Sequence, residues 1–302
     1  MTACITSVGF NAASTNGEFE SYELEMRNLA EMGAEVVEMC VTSLDLITNG
    51  RIMPERMARL EKLARSYPFK YTVHGLVSSD FMDPDTLDRQ LRVAKAVVEV
   101  CDRLDARVLV QHSGRVRADA PLDRAGADKR EADAFYELAE FARPYGVRIA
   151  VENCFVTSPG EYRRLPSEIA GMLRELNHPN LVGTLDFGHA YIDCTYRGVD
   201  FMSELRAMAP VTGHLHVHDS YGNMRGTTPF YYPQDGVALG LGDLHLPLGW
   251  GDIPWEQIFS ELTFLPDTAL MMEVSNRRFG AEQPESLARA RALQALVNSR
   301  VA

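Results

Sequence analysis

TLDRQLRVAKAVVEVCDRLDARVLVQHSG, residues 86–114, contains the repeating unit of the whole chain. Over 86–104, Leu87, Leu91, Ala94, Val97, Val98 and Cys101 recur at helical spacing, with Asp88, Arg92 and Lys95 between them. That pattern predicts an amphipathic helix with one apolar stripe. RVLVQHSG (107–114) then forms a short apolar run that turns polar only at its end. A helix of this kind followed by a strand buried on both faces is the repeat of a parallel, helix-covered sheet.

The same alternation continues in both directions. Strands are predicted at 5–11, 35–41, 70–76, 107–114, 147–154, 181–187, 212–219 and 269–275. Helices are predicted at 21–34, 54–67, 86–104, 128–145, 165–177, 201–209, 255–265 and 284–299. Pro54, Pro84, Pro166 and Pro284 sit near helix starts, where a missing N–H costs little. Eight strand–helix units is the count that closes a barrel. The alternative, an open doubly wound sheet, usually has fewer strands and a Gly-rich first turn, and no GxGxxG follows the first strand here. The expectation is therefore an α/β chain whose residues 1–302 form a single (β/α)8 TIM barrel domain. One long loop, at about 220–254 after strand seven, breaks the rhythm. Its aromatics Phe230, Tyr231, Tyr232 and Trp250 fit two roles equally well, a flap that excludes water from a site or a contact between copies in a homo-oligomer.

Composition narrows the function classes. The chain is 46% hydrophobic and 24% charged, ordinary values for a protein with a substantial core. A formal charge of −12 argues against a nucleic-acid partner, as does the lack of basic clusters after the early strands. A small anionic substrate stays compatible, because a metal ion supplies local positive charge. The five cysteines are far apart and form no CxxC, so reduced, mostly buried thiols are expected rather than a disulfide framework or zinc knuckle. No basic leader with an apolar stretch opens the sequence, and no run of about 18 apolar residues is present to span a membrane. A cytoplasmic protein is the expectation.

The polar residues fall where a barrel builds its active site. His74, His112, Glu152, Asp186, His216 and Glu273 come at the ends of six different strands, and His189 follows the sixth by one turn. Within HLHVHD, alternation puts His214, His216 and His218 on one face, with His216 and His218 nearest the rim and His214 deeper. His178, in a helix-to-strand connection, reads as a surface residue. A single carboxylate in an apolar run such as RIAVEN needs a partner, since burying an unpaired charge costs several kcal/mol. Three carboxylates converging with several imidazoles call for a cation. Carboxylates with imidazoles suit Mn, Co, Mg, Fe or Zn as a divalent ion, and no thiolate selects for zinc alone.

VEN (151–153), LDFGHA (185–190), GHLHVHD (213–219), DLHLPLGWGDI (243–253) and MEVSN (272–276) together resemble the xylose-isomerase-like TIM barrel superfamily. That group holds sugar and sugar-phosphate isomerases and epimerases together with the apurinic endonuclease family. The resemblance to its epimerase branch implies a metal held by Glu152, Asp186, His216 and Glu273. Glu152 and Glu273 would double as acid and base across a cis-enediolate, and His189 would hydrogen-bond a substrate oxygen. The resemblance to the endonuclease branch implies three zinc ions, with His74, His112, His189, Asp243 and His245 joining the other four. His218 is a further metal or substrate candidate. Arg225, Arg277 and Trp250 are candidates for substrate contact. The departure from the ketose-epimerase pattern is Ser220-Tyr221-Gly222, where an Arg often follows the strand-seven His.

The leading expectation is thus a divalent-metal-dependent isomerase or epimerase acting on a small carbohydrate-like substrate. A multinuclear zinc hydrolase of a small phosphodiester comes second, and a metal-dependent lyase on a keto-sugar third. A non-catalytic binding module ranks last, since a rim of unpaired carboxylates and imidazoles is costly to keep without chemistry.

Overall fold

The computed structural model describes residues 4–121 and 123–301, so the first three residues of the N-terminal segment read above lie outside it. Eight parallel strands close into a barrel: β1 (Ile5–Ala12), β2 (Val36–Cys40), β3 (Lys70–His74), β4 (Val108–His112), β5 (Arg148–Glu152), β6 (Leu181–Asp186), β7 (Thr212–Val217) and β8 (Thr268–Met272). Closure comes from β1, which pairs with both β8 and β2. The main helices around it are α1 (Phe19–Met32), α2 (Pro54–Ala64), α3 (Leu87–Arg103), α4 (Arg124–Ala142), α5 (Pro166–Leu176), α6 (Phe187–Arg197), α7 (Phe201–Met208), α8 (Pro233–Leu239), α9 (Trp255–Glu261), α10 (Asn276–Phe279) and α11 (Gln283–Val301). Among the described residues, no helix is long and apolar enough to cross a membrane. The five cysteines are free, and all but the half-buried Cys40 are buried.

Strand alternation divides the barrel into two environments. Val37, Met39, Val73, Leu109, Ile149, Val151, Leu185 and Leu215 join the large core shared with the helices. On the other face, Val108, Val110, Ala150 and Val182 form one apolar cluster and Val36, Ala269 and Met271 another. Higher along those same inward positions the residues become polar. Register then levels them: His112 pairs across from Glu152, Asp186 from His216, and Cys40 from His74.

Several boundaries need correction. Seven of the eight strands end earlier than predicted, at 40, 74, 112, 152, 186, 217 and 272, because the chain turns into the rim loops there, while β1 runs one residue further, to Ala12. Apolar or buried character continues past the turn, as with fully buried His218 and Asp219, so hydropathy alone does not mark the end. The helix α6 was not predicted. Its sequence, FGHAYIDCTYR, is poor in strong helix formers, and it is started by Asp186, whose Oδ1 accepts from His189 N at 2.7 Å. The long loop is not structureless, since it contains α8 between Pro233 and the left-handed Gly240. His178 is buried, not surface: its Nε2 is 2.8 Å from Glu140 Oε1, and its Nδ1 accepts from Asn180 N.

Candidate metal centre

Glu152, at the end of β5 and fully buried, is the hub of the rim. Its Oε2 lies 3.4 Å from His74 Nε2 and 3.3 Å from His112 Nε2. Its Oε1 lies 3.2 Å from His189 Nδ1 and 3.3 Å from His216 Nδ1. Asp186 caps α6 with one oxygen and turns Oδ2 to His218 Nε2 at 3.3 Å, His189 Nδ1 at 3.5 Å and His216 Nδ1 at 3.8 Å. Asn153 pins Asp186 by exchanging two hydrogen bonds with its backbone, each 2.9 Å. Glu273, just past β8, accepts from Asn11 Nδ2 on Oε1 at 3.1 Å and brings Oε2 to 3.7 Å from His216 Nδ1.

Asp243 and His245 arrive on the long loop. Buried Asp219 ties that loop down: Oδ2 accepts from Gly249 N at 2.7 Å, and the backbones of Asp219 and Leu246 exchange hydrogen bonds. Asp243 Oδ2 then lies 2.8 Å from His245 Nε2 and 3.4 Å from His189 Nε2, while Oδ1 is 3.6 Å from His218 Nε2. His245 sits at φ 48°, a left-handed conformation that costs a non-glycine residue of order 1 kcal/mol and is typical of residues held for function. The His218 and His245 rings stack with centroids 4.3 Å apart. This contact requires Gly188, because a Cβ there would stand 2.2 Å from His218 Cε1.

The donor chemistry fits a cation. His74, His189 and His245 each turn Nδ1 to a backbone carbonyl, of Gly75 at 3.1 Å, Asn153 at 3.1 Å and Glu273 at 2.6 Å. A neutral imidazole carries one N–H, so donation from Nδ1 leaves the Nε2 lone pair facing a carboxylate oxygen. Lone pair against lone pair is repulsive unless a proton or metal ion lies between them. Both Glu152 oxygens, His216 Nδ1 and Asp243 Oδ1 are buried without a hydrogen-bond partner. Metal-binding histidines commonly have their other nitrogen held by just such carbonyls.

Electrostatics agree. Burial opposes a charged imidazole, yet Cys154 and Glu152 push His112 well above its ordinary value. Asp186 and Asp243 do the same to His189, and Glu273, Glu38 and Glu152 to His216, in each case against burial. Burial likewise opposes the His245 cation, but Asp243 carries it up to about 10. In return, and again against burial, His112 and His216 hold Glu152 well below the usual carboxylate range, and His245 and His218 do so for Asp243. A divalent ion bound by these groups would take the place of protons on the imidazoles, so its affinity would fall with falling pH.

The structure therefore brings Glu152, Asp186, His216 and Glu273 together, with His74, His112, His189, His218, Asp243 and His245 in the same connected network. Arg225 lines an adjoining cavity of about 700 Å³ with Phe155, Phe230 and Asp243, its guanidinium carbon 4.2 Å over the Phe230 ring. Arg277 is exposed on α10. Trp250 is half exposed and packs against Phe279, and Tyr231 and Tyr232 stand out in solvent. After the early strands the basic residues stand among acidic ones. Arg89, Arg115, Arg117, Arg130 and Arg163 line a cavity of about 840 Å³, but Asp80, Asp83, Asp85 and Asp123 line it too and largely offset their charge.

Sequence reasoning missed Glu38, which lies one layer below the rim on β2. Its Oε2 is 2.8 Å from His214 Nε2, the deeper histidine, and its Oε1 is 3.0 Å from His216 Nε2. Burial opposes its charge, but His216 and His214 hold its carboxyl well below the usual range. The signal was present: VVEMC is an apolar strand with one carboxylate, the feature that marked Glu152 in RIAVE.

A closed (β/α)8 barrel whose C-terminal rim gathers carboxylates and imidazoles defines a class of barrel with a metal-type site. The chain belongs to the xylose isomerase-like TIM barrel family, whose model matches residues 26–296. An uncharacterized protein of Methanocaldococcus jannaschii, MJ1311, is 22% identical over 274 residues, covering 89% of this chain and 84% of that protein. Among solved structures, a D-tagatose 3-epimerase-like protein superposes with a TM-score of 0.72 at 20% identity, covering 97% of this chain and 100% of that one. The IolI protein with a bound zinc atom superposes with a TM-score of 0.66 at 18% identity, covering 98% and 99%. These likenesses define the shared fold.

Proposed function

We propose that the protein is a divalent-metal-dependent isomerase or epimerase of a sugar or sugar-like polyol. The observation that carries this reading is the pairing of Glu152 and Glu273. They extend from β5 and from the end of β8 toward the same nitrogen, His216 Nδ1, at 3.3 and 3.7 Å. A divalent ion held by Glu152, Asp186, His216 and Glu273 would polarise a carbonyl and acidify the C–H beside it. One carboxylate then takes the proton from that carbon and the other returns one to the opposite face, which inverts the centre. Asn11 donates to Glu273 Oε1, so Oε2 is the oxygen left to serve the ion and the proton transfer. His189, at the start of α6 and 7% exposed, is assigned the hydrogen bond to a substrate oxygen, through Nε2, since Nδ1 faces the Asn153 carbonyl. The epimerase-like structural relative supports this assignment of chemistry.

The test is deuterium uptake. Incubation of metal-loaded protein with a panel of ketoses in D2O should show exchange at the carbon next to the carbonyl, followed by NMR. Glu152→Gln and Glu273→Gln should each abolish turnover. A Glu152→Gln protein that still exchanges would remove Glu152 as the base.

A second reading has its own observation. His74 and His112 converge on Glu152 Oε2, while His189 and His245 converge on Asp243 Oδ2. With the central four residues these make three adjoining donor groups, a pattern suited to a multinuclear zinc hydrolase of a small phosphodiester. Metal analysis separates the readings. One ion per chain supports the isomerase, and two or three zinc ions with phosphodiester cleavage support the hydrolase.

A further inference from the structure

Glu38 takes no part in the proton transfers above, yet it touches the centre from below. It is fully buried in β2, 34 residues before Thr72 and 176 before His214, and the fold brings all three together. Oε2 is 2.8 Å from His214 Nε2 and 3.4 Å from Thr72 Oγ1, so two groups hold that oxygen in place. Oε1 is 3.0 Å from His216 Nε2. The opposite side of the same imidazole, Nδ1, faces Glu152, Glu273 and Asp186.

We propose that Glu38 is the positioning residue of the metal centre: it accepts the Nε2–H of His216 and so turns the Nδ1 lone pair toward the ion. The proposal rests on the metal-dependent reading above. An imidazole that binds a metal through Nδ1 carries its one proton on Nε2. That N–H is buried, and a buried donor without an acceptor costs about 1–3 kcal/mol. Glu38 Oε1 is the acceptor within reach. The two atoms are close but not aligned as a hydrogen bond, and each is buried with no other hydrogen-bond partner. A small ring rotation satisfies both. His214 and Thr72, by holding Oε2, keep Oε1 aimed at His216.

The test is metal affinity of the full chain. Wild type and Glu38→Gln are stripped with chelator, checked for folding by circular dichroism, and titrated with Zn²⁺ against a chromophoric competitor. The variant should bind about 10–100-fold more weakly, the usual effect of losing a supporting carboxylate. Its Co²⁺ complex should show displaced visible bands, which a merely structural loss would not produce. Affinity within about twofold of wild type and an unchanged cobalt spectrum would overturn the proposal. If the variant does not fold, long-range ¹H–¹⁵N spectra of zinc-loaded wild type decide. A proton on His216 Nε2 supports the proposal, and a proton on Nδ1 sinks it. Wild type that binds none of Zn²⁺, Co²⁺, Fe²⁺, Mn²⁺ or Mg²⁺ overturns both the metal-dependent reading and this proposal, whereas tight binding unaffected by Glu38→Gln overturns this one alone.

Discussion

Replacing Glu25 by Gln should stabilise the protein at pH 8 and leave its stability nearly unchanged at pH 4.5. Glu25 lies on α1 at 9% exposure, and its Oε2 accepts from Ala13 N at 3.4 Å. Burial raises its pKa from 4.5 to about 7, against the pull of the Ala13 N–H and of Arg277. An acid whose folded pKa is raised binds more protons folded than unfolded between the two values, so stability falls as pH rises through that window. The difference between 4.5 and about 7, at about 1.4 kcal/mol per pH unit, gives about 3 kcal/mol. That loss is absent below pH 4.5 and complete above pH 7. Gln imitates the protonated acid at every pH and can still accept from Ala13 N. Urea unfolding of both proteins at pH 4.5, 6 and 8 should therefore show a stability difference growing from near zero to about 3 kcal/mol in favour of the variant. Other titrating groups cancel in the comparison. A difference that does not change with pH would refute the reasoning, because it would mean that Glu25 titrates alike in the folded and unfolded chain.

Zinc at a hundredfold excess over its dissociation constant should stabilise the chain by about 3 kcal/mol in thermal unfolding. EDTA should abolish the gain, and so should Glu152→Gln. Gly188→Ala should drive a Cβ into the His218 ring and cost about 1–3 kcal/mol, read from the unfolding midpoint. An unchanged midpoint would show that the α6 start gives way instead. Arg164 pairs with fully buried Glu131 at 2.7 Å, so Arg164→Ala should cost about 3–5 kcal/mol in urea unfolding. The loss of the counter-charge from a buried carboxylate sets that size, since Ser113 Oγ and Gly114 N donate to Oε1 alone and leave Oε2 without Arg164.

The barrel was legible because its signal is local. Each strand and most helices announce themselves in ten to twenty residues, and eight repeats leave few ways to close a parallel sheet. The rim was legible for a related reason: polar residues at strand ends such as Glu152 and His216 stand out against apolar runs, and a barrel sends all such ends to one side. Where local signals were weak, the reading failed. Nothing in FGHAYIDCTYR favours a helix strongly until Asp186 is seen to cap it.

From the sequence alone came the repeat, the closure and the list of residues facing the rim. Tertiary structure decided which of them meet. Asp243 and His245 reach the centre because Asp219 ties their loop down, and the burial of His178 follows from its contact with Glu140, 38 residues earlier. Glu38 gains its meaning only when β2 and β7 face each other across the barrel, bringing together groups 176 residues apart. Periodicity records which face of a strand a residue takes, but partners across a barrel are set by register, which is a property of the whole chain.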